Sequence, residues 1–316
     1  YLMGSLDLQP WGANLGVRHE SESRYYQVLP DLNAIAFVNP DRVYEDNDYY
    51  LPSFSLWRTF GDHDQFKATI AWSKTVARPT FYEYAPVEIE DQATGDIIVG
   101  NPDLKDTRID NFDVELSWDP TADTRLVLGL FRKEMSSPIA QAFDNTKKTW
   151  VNGDSGELEG VEFTASHKLG GGFDIAGNYT FIDSLLTYPQ RINSFGESQT
   201  IDSSFEGQPE HIFNLMFGYE YEPWKLRANL IYNHTGSYLT GVPATADSSA
   251  IVRESYDSLD LVITKGFRLP QCDGTVKLKF VNLLDSTDTQ LFEDTNLVYQ
   301  SFSPGRGVSL SAEFHF

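Results

Sequence analysis

The sequence predicts an all-β fold, an antiparallel β-barrel that crosses a membrane. Apolar residues occupy alternate positions along most of the chain, the connections between these segments are in turn short and long, and aromatic residues gather beside the short connections. A period of two is typical of strands, because successive side chains point to opposite faces. Short turns at one end and long loops at the other are typical of outer-membrane barrels.

The alternating segments predict thirteen strands. In the last one, Val308, Leu310, Ala312, Phe314 and Phe316 alternate with polar residues. No long stretch shows the spacing of an amphipathic helix. The predicted strands cover residues 1–9, 12–27, 50–60, 64–78, 107–118, 122–137, 157–168, 172–187, 206–221, 224–238, 253–267, 274–288 and 304–316.

The connections differ in composition as well as length. The short ones are rich in Gly, Pro and Asp, as tight hairpins require, and lie at 9–12, 61–64, 119–123, 169–172, 221–224 and 270–274. The long ones are polar and acidic and run over 28–49, 79–106, 138–156, 187–205, 239–252 and 289–303. Trp11, Trp118, Tyr221, Trp224 and Phe267 lie at or beside the short turns, where aromatic side chains mark a membrane–water interface. A soluble β-sandwich is the alternative, but it has no reason to sort its connections by length.

Composition excludes several other classes. A net charge of −22 without a basic run argues against nucleic-acid binding, and the single cysteine, Cys272, excludes an internal disulfide and a cysteine-based metal site. No uncharged apolar run approaches the length of a transmembrane helix, and the ordered patterning of 41% hydrophobic residues argues against disorder. The chain opens at Tyr1 inside an alternating segment, so we expect no signal peptide.

Thirteen strands cannot close a bacterial barrel by themselves. Such barrels have an even number of strands with both termini on the periplasmic side. An odd count therefore predicts that a further odd number of strands precedes Tyr1, and that residues 1–316 begin at the extracellular end. Because unpaired sheet edges are not tolerated in lipid, we expect these residues to form only part of the membrane unit.

Several local motifs recur in a recognisable order. They are Leu51-Pro52-Ser53, Ser73-Lys74-Thr75-Val76-Ala77-Arg78-Pro79, Gly100-Asn101-Pro102-Asp103-Leu104-Lys105, Asn111-Phe112-Asp113, Glu159-Gly160-Val161-Glu162, Val281-Asn282-Leu283-Leu284-Asp285 and Pro304-Gly305-Arg306. Together with the terminal Phe316, their order and spacing over about 50–316 resemble the second half of TonB-dependent outer-membrane receptors.

The resemblance implies a fold, a location and a function. Residues 1–316 would be the C-terminal part of a barrel of about twenty-two strands, whose plug domain and TonB box lie outside this sequence. The implied function is energised import of a ferric siderophore, a cobalamin or an oligosaccharide across the outer membrane of a Gram-negative bacterium. The implied partners are the TonB-ExbB-ExbD system, the lipid bilayer with its lipopolysaccharide, and an accessory surface lipoprotein, and no cofactor is expected. A passive porin-like channel and an outer-membrane enzyme remain the alternatives.

Loop aromatics are the best candidates for ligand contacts. Phe81, Tyr82 and Tyr84 open one long loop and Trp150 lies in another. Exposed rings in such loops stack on sugars or on aromatic and catecholate ligands. Alternatively, they cap the barrel rim or pack against the plug. Phe314 and Phe316 are similar to the terminal aromatics by which such barrels are recognised during assembly.

Charged and titratable side chains are weaker candidates for a functional site. The six histidines are scattered without metal-ligand spacing, so we expect no catalytic or metal site from them. Two predicted loops each carry a group of acidic residues, which either attracts cations such as Ca²⁺ or forms solvated loop surface. The first group is Asp41, Glu45, Asp46 and Asp48, and the second is Glu88, Glu90, Asp91 and Asp96. Residues predicted to face the barrel interior are Lys225, Arg227, Lys277, Lys279, Asp113, Glu115 and Glu162. Residues predicted to face lipid are Phe112, Leu116, Phe213, Leu215, Leu226, Leu230, Leu310 and Phe314.

Overall fold

A computed structural model of the chain describes residues 1–27, 42–92, 94–144, 147–192 and 197–315. Thirteen of its strands form a meander in which each is antiparallel to the next along the chain. These are β1 (Leu2–Leu8), β2 (Trp11–Gln27), β3 (Arg42–Phe60), β4 (Phe66–Ala77), β7 (Thr107–Thr121), β8 (Thr124–Ser136), β11 (Ser155–Gly170), β12 (Phe173–Arg191), β14 (His211–Tyr221), β15 (Leu226–Thr235), β18 (Tyr256–Leu269), β19 (Cys272–Val281) and β22 (Gly307–His315). Within the described residues β1 and β22 each pair on one side only, so the barrel is not closed. The predicted all-β meander of thirteen strands is confirmed.

All five long connections after β4 contain strands, and four of them contribute two strands each. They contribute β5 (Glu88–Glu90), β6 (Ile97–Val99), β9 (Ile139–Asp144), β10 (Lys147–Asn152), β16 (Tyr238–Pro243), β17 (Ile251–Arg253), β20 (Asp288–Phe292) and β21 (Val298–Phe302). These eight strands make a second sheet, here called the loop sheet, in the order β21-β20-β17-β16-β9-β10-β6-β5. The remaining connection contributes β13 (Ser198–Ser203), which pairs with the outer part of β12. Long connections that the sequence marks only as polar thus form an ordered layer at one end of the main sheet.

The register of the main sheet places all eight residues predicted to face lipid on the same face. Leu230 pairs with Phe217 on one side and Leu261 on the other, and the row continues through Phe280 on β19 to Val308, the neighbour of Leu310 on the same face of β22. Directly paired residues point to the same side of an antiparallel sheet. The predicted alternation between an apolar and a polar face is therefore present across the meander.

The opposite face carries polar and charged side chains. Arg227 and Lys277 flank Thr264 in one row, and Asn214 donates from Nδ2 to Oδ1 of Asn178 at 2.8 Å in another. Lys225 is the exception among the residues predicted to face inward. It lies in the β14–β15 turn with a φ of 46°, because the short helical turn Glu222–Trp224 ends there in the left-handed region.

Aromatic side chains line the end of the sheet that bears the short turns. Phe60, Phe66 and Trp118 stack across β3, β4 and β7, with ring centroids 5.2 and 5.5 Å apart. Tyr221 meets Trp224 edge to face at 5.5 Å. The aromatic residues noted beside the short turns are thus arranged along one end of the apolar face.

The predicted boundaries are wrong where strands pass beyond the apolar zone. Residues 42–49 of the connection predicted at 28–49 are strand, because β2 and β3 stay paired as far as Gln27 and Arg42. Backbone hydrogen bonds hold this hairpin together, so its polar side chains show no apolar period. Conversely, β19 ends at Val281 and does not reach 288, because Asn282 has a φ of 52° and its side-chain amide holds Ser286 and Gly305.

The compact core is formed by the loop sheet together with the outer part of β12. Its fully buried side chains come from β9, β12 and β16 and are Ala140, Ala142, Leu186, Tyr188 and Val242. In the described ranges, no helix is long and apolar enough to cross a membrane. Hydrophobic contacts with the outer part of β12 therefore stabilise the loop layer.

Candidate functional site

The predicted loop aromatics stand on a short helix, α1 (Phe81–Tyr84), directly after β4. Glu83 closes the first turn, because its Oε2 accepts a hydrogen bond from the Thr80 backbone N–H at 2.6 Å. A side chain that reaches back in this way satisfies a donor that the helix leaves unpaired. The helix therefore presents its rings in a fixed arrangement, with Phe81 edge to face against both Tyr82 and Tyr84 at 5.8 Å.

The Gly100-Asn101 step of the recognised motif holds α1 in place. The Asn101 backbone N–H donates to the Glu83 carbonyl at 2.6 Å, and its Nδ2 donates to the Trp150 carbonyl at 2.9 Å. A Cβ on Gly100 would lie 1.9 Å from the Ala85 carbonyl oxygen, so only glycine permits this approach. The motif thus joins α1 to β10 and has a structural role.

A charged cluster on the polar face of the main sheet lies beside the segment that carries α1. We define this rim cluster as Glu20, Glu22, Arg24, Tyr49, Arg78 and Asp106. Arg24 Nη2 lies 2.7 Å from Asp106 Oδ1, and Tyr49 donates its hydroxyl to the other Asp106 oxygen at 2.5 Å. Arg78 contacts Glu22 and lies 2.6 Å from Glu20. The cluster therefore ties β2 and β3 to the two ends of the segment that carries α1.

Cation–π contacts connect the rim cluster to the aromatic residues. The Arg24 guanidinium lies 5.8 Å from the Tyr84 ring centroid, and that of Arg78 lies 5.5 Å from the Tyr49 ring. Such contacts strengthen when they are removed from water, and the Arg24 side chain is only 8% exposed. Sequence inspection missed this cluster, and its only signal was the alternation of Glu20, Glu22 and Arg24 along one strand face.

The four predicted aromatic residues differ in accessibility. Phe81 and Tyr82 are 57% and 65% exposed, whereas Tyr84 is half-buried beneath them. Trp150 is also half-buried on β10, against which α1 lies. Ring contacts within the described ranges join Phe81 to its two helix neighbours and do not include Trp150. The structure thus places two aromatic rings where a solute can reach them and two in supporting positions.

A second polar junction fastens the first folded loop to the last. Asp96, beside β6, lies 3.1 Å from Lys148 on β10 and accepts a hydrogen bond from the Tyr299 hydroxyl on β21. Burial alone would raise the pKa of Asp96, but the hydrogen bonds from Tyr299, Thr94 and Lys148 outweigh it and hold the pKa below its ordinary value. Asp96 and Tyr299 are 203 residues apart in the chain, so no local pattern predicts this junction.

A half-buried glutamate, Glu206, lies between α1 and the loop sheet. Glu206 accepts a hydrogen bond from the backbone N–H of Gln141 at 2.5 Å. Burial raises the pKa of Glu206 to about 7, the nearby charge of Glu83 adds to the rise, and the hydrogen bond opposes it. The Glu206 carboxyl therefore titrates near neutral pH, beside the helix that carries the exposed rings.

The acidic segments do not form a cation site in the described ranges. Asp48 lies 3.1 Å from His19, and Asp91 and Asp96 lie near Lys148. Asp41 lies outside the described residues. No group of three or more His, Cys, Asp or Glu side chains suited to a metal ion occurs in the part of the chain that is described. His234 Nδ1 lies 2.8 Å from Asp257, its direct partner on the neighbouring strand.

Of the two terminal aromatics, the structure describes one. Phe314 lies on the apolar face opposite Gly274 and meets Phe267 edge to face at 5.6 Å. Phe316 lies outside the described residues. The assembly role of these residues stays a prediction.

Comparison with known proteins agrees with this architecture. Residues 1–283 match the family described as TonB dependent receptor-like, beta-barrel. No curated protein sequence matches the chain.

Solved structures share the fold at low sequence identity. The ferric-catecholate import receptor Fiu of E. coli K12 superposes with a TM-score of 0.66 and 16% identity, over 98% of this chain and 43% of that one. The siderophore receptor PiuA of Acinetobacter baumannii has a TM-score of 0.66 and 16% identity, over 96% of this chain and 40% of that one. The ferric yersiniabactin uptake receptor FyuA of Yersinia pestis has a TM-score of 0.63 and 16% identity, over 98% and 44%. The chain thus spans less than half the length of these receptors. From the family match over residues 1–283 and the open meander of thirteen strands, the chain belongs to the TonB-dependent receptor β-barrel family.

Proposed function

We propose that the chain is the C-terminal part of the barrel of an outer-membrane receptor that imports a ferric siderophore with energy supplied through TonB. The observation that carries this proposal is the family match over residues 1–283, joined to a main sheet whose long connections fold into one layer at a single end. The structural neighbours named for ferric-catecholate, siderophore and yersiniabactin uptake support iron chelates as the substrate class.

The aromatic surface of α1 suits such a substrate. Phe81 and Tyr82 offer exposed ring faces and edges, and Tyr84 beneath them is backed by the Arg24 guanidinium. Aromatic rings stack favourably on the planar rings of a catecholate chelate. The rim cluster fixes α1 before the ligand arrives, which reduces the entropy lost on binding.

Binding to the intact protein in detergent tests the substrate class and the site together. We expect saturable binding of a ferric catecholate, and about tenfold weaker binding in Phe81→Ala and in Tyr82→Ala, because each loses one ring contact. Phe302→Ala is the matched control, since Phe302 is an equally exposed ring (62%) at the end of β21, away from α1. Saturable binding of cobalamin or an oligosaccharide without any binding of ferric siderophores would contradict the proposed substrate.

A further inference from the structure

The loop sheet encloses a cavity of about 190 Å³ that is separate from the aromatic surface of α1. Its walls come from β9, β10, β16, β17, β20 and β21, so it is formed by the connections and not by the main sheet. Ligand pockets for larger molecules are about 300–1,000 Å³. The cavity is therefore too small for an intact siderophore and has the size of a single small ring.

The side chains that line the cavity can form hydrogen bonds, and the one positive charge among the described lining residues is neutralised by a neighbouring carboxylate. Gln141, Gln290 and Gln300 line the cavity, and Gln290 pairs directly with Gln300 across β20 and β21. Within the described ranges, no hydrogen bond engages the side-chain amides of Gln141 and Gln300, while Gln290 Oε1 accepts only a 3.4 Å contact from Thr240. Lys148 is the cation in the lining, and Asp96 at 3.1 Å neutralises it. This balance favours an uncharged ligand over an anion.

Carboxamides and aromatic rings together define the class of ligand. Each amide offers donors and an acceptor, which match the neighbouring hydroxyl groups of a sugar. Phe143 and Tyr299 supply ring surface in the same wall, with centroids 5.9 Å apart. Aromatic faces pack against the apolar C–H face of such a ring. We propose that the loop cavity binds one neutral hexopyranose unit, through the amides of Gln141, Gln290 and Gln300. This inference goes beyond the proposed iron uptake and does not depend on it.

Saturation-transfer NMR on the intact protein in detergent tests the site, with a panel of methyl hexopyranosides as probes. Because the ligand is small, we expect affinity in the millimolar range for at least one probe. Gln141→Met and Gln300→Met keep the side-chain volume but remove an amide, and each should weaken binding about tenfold. Gln199→Met is the matched control, since Gln199 is an exposed glutamine on β13 outside the cavity.

A filling substitution provides a second, independent measurement. A Cβ on Gly241 would lie 3.5 Å from the Gln141 carbonyl and 3.9 Å from its Oε1, so the position accepts a side chain without backbone strain. Gly241→Leu should therefore occupy the cavity and abolish transfer. If Gly241→Leu does not fold, the binding measurements on the two Gln→Met variants test the proposal by themselves.

The source of the sugar is tested with oligosaccharide released from lipopolysaccharide. Competition between this oligosaccharide and the methyl glycoside would support the site and identify the cell surface as the source. Binding of the glycoside alone would support it and identify a free solute. Absence of transfer from every probe, or equal transfer in wild type and both Gln→Met variants, would overturn the proposal. Neither result affects the proposed binding of a ferric siderophore at α1, which is tested by its own binding experiment.

Discussion

Asp96→Asn should release the end of the loop sheet, because it removes the carboxylate that holds Lys148 and Tyr299 together. The side chains of Asp96 and Lys148 are only 8% and 15% exposed. Removing one partner of a buried pair costs about 3–5 kcal/mol. Asp91 lies 3.8 Å from Lys148 and retains part of the interaction, so we expect local opening to become easier by about 2–3 kcal/mol.

Hydrogen exchange read by mass spectrometry measures this change. An energy of about 2–3 kcal/mol corresponds to amide exchange about 30- to 150-fold faster in β6 and β21. Lys148→Met combined with Asp96→Asn should lose less than the sum of the two single variants, because both remove one interaction. Asp273→Asn is the control, since its partner Arg268 is at the opposite end of the sheet and solvent-exposed.

The pH dependence of the junction follows from the directions of the two pKa values. Asp96 has its pKa lowered in the folded protein, so its stabilisation is present above its ordinary pKa and is lost as the pH falls below about 4. Lys148 has its pKa raised by hydrogen bonds that outweigh burial, so its contribution is lost only at strongly alkaline pH. Unchanged exchange in β6 and β21 of Asp96→Asn would show that the Asp96 carboxylate does not stabilise this junction.

Three other predictions concern the loops, the apolar face and the terminus. Because the folded pKa of Glu206, about 7, exceeds its ordinary value of 4.5, the loop layer should lose up to about 3 kcal/mol of stability as the pH rises between these values. Glu206→Gln should abolish this dependence in hydrogen exchange at the two pH values. Leu310→Arg on the apolar face should destabilise the protein by about 2–4 kcal/mol in urea titrations in lipid vesicles, whereas Ser309→Arg on the polar face should have little effect. Equal effects would reverse the face assignment. If Phe316 has the predicted assembly role, its deletion should sharply lower the amount of protein in the outer membrane, measured by fractionation, with nearly normal refolding in detergent. Unchanged membrane levels would show that the residue only packs.

The strand meander could be predicted because each strand carries its own signal. The alternation around Leu230 and Leu310 indicates which face of the strand is apolar. Gly- and Asp-rich turns indicate where the chain reverses direction. Both are local properties. Aligning the apolar faces then fixes which side of the sheet each residue takes, which is why the predicted lipid-facing residues fall on one side.

The loop sheet could not be predicted in the same way. Its strands are three to six residues long, too short to establish a period, and β9 pairs with β16 about a hundred residues later. Backbone pairing in these segments does not require apolar alternation. The same limit applies to Glu206, whose burial depends on contacts from β9 and α1 that are remote in sequence.

For the site, the sequence suggests residue types but not geometry. Ligand contact by Phe81, Tyr82 and Trp150 stays a prediction. The structure adds that Phe81 and Tyr82 are exposed, whereas Trp150 is half-buried beside Asn101. The sequence does not reveal that Arg24 lies beneath Tyr84, because β2 and α1 are separated by two strands. Contacts between distant segments decide which aromatic residues remain accessible.

Energised uptake tests the central proposal most directly. Iron-starved cells that express the intact protein as their only siderophore receptor are supplied with radiolabelled ferric siderophore, with and without a protonophore, and in the presence and absence of TonB. The proposed function predicts accumulation above the external concentration, lost when either the proton gradient or TonB is removed. Uptake that only equilibrates across the membrane and is unaffected by both would identify a passive channel and contradict it.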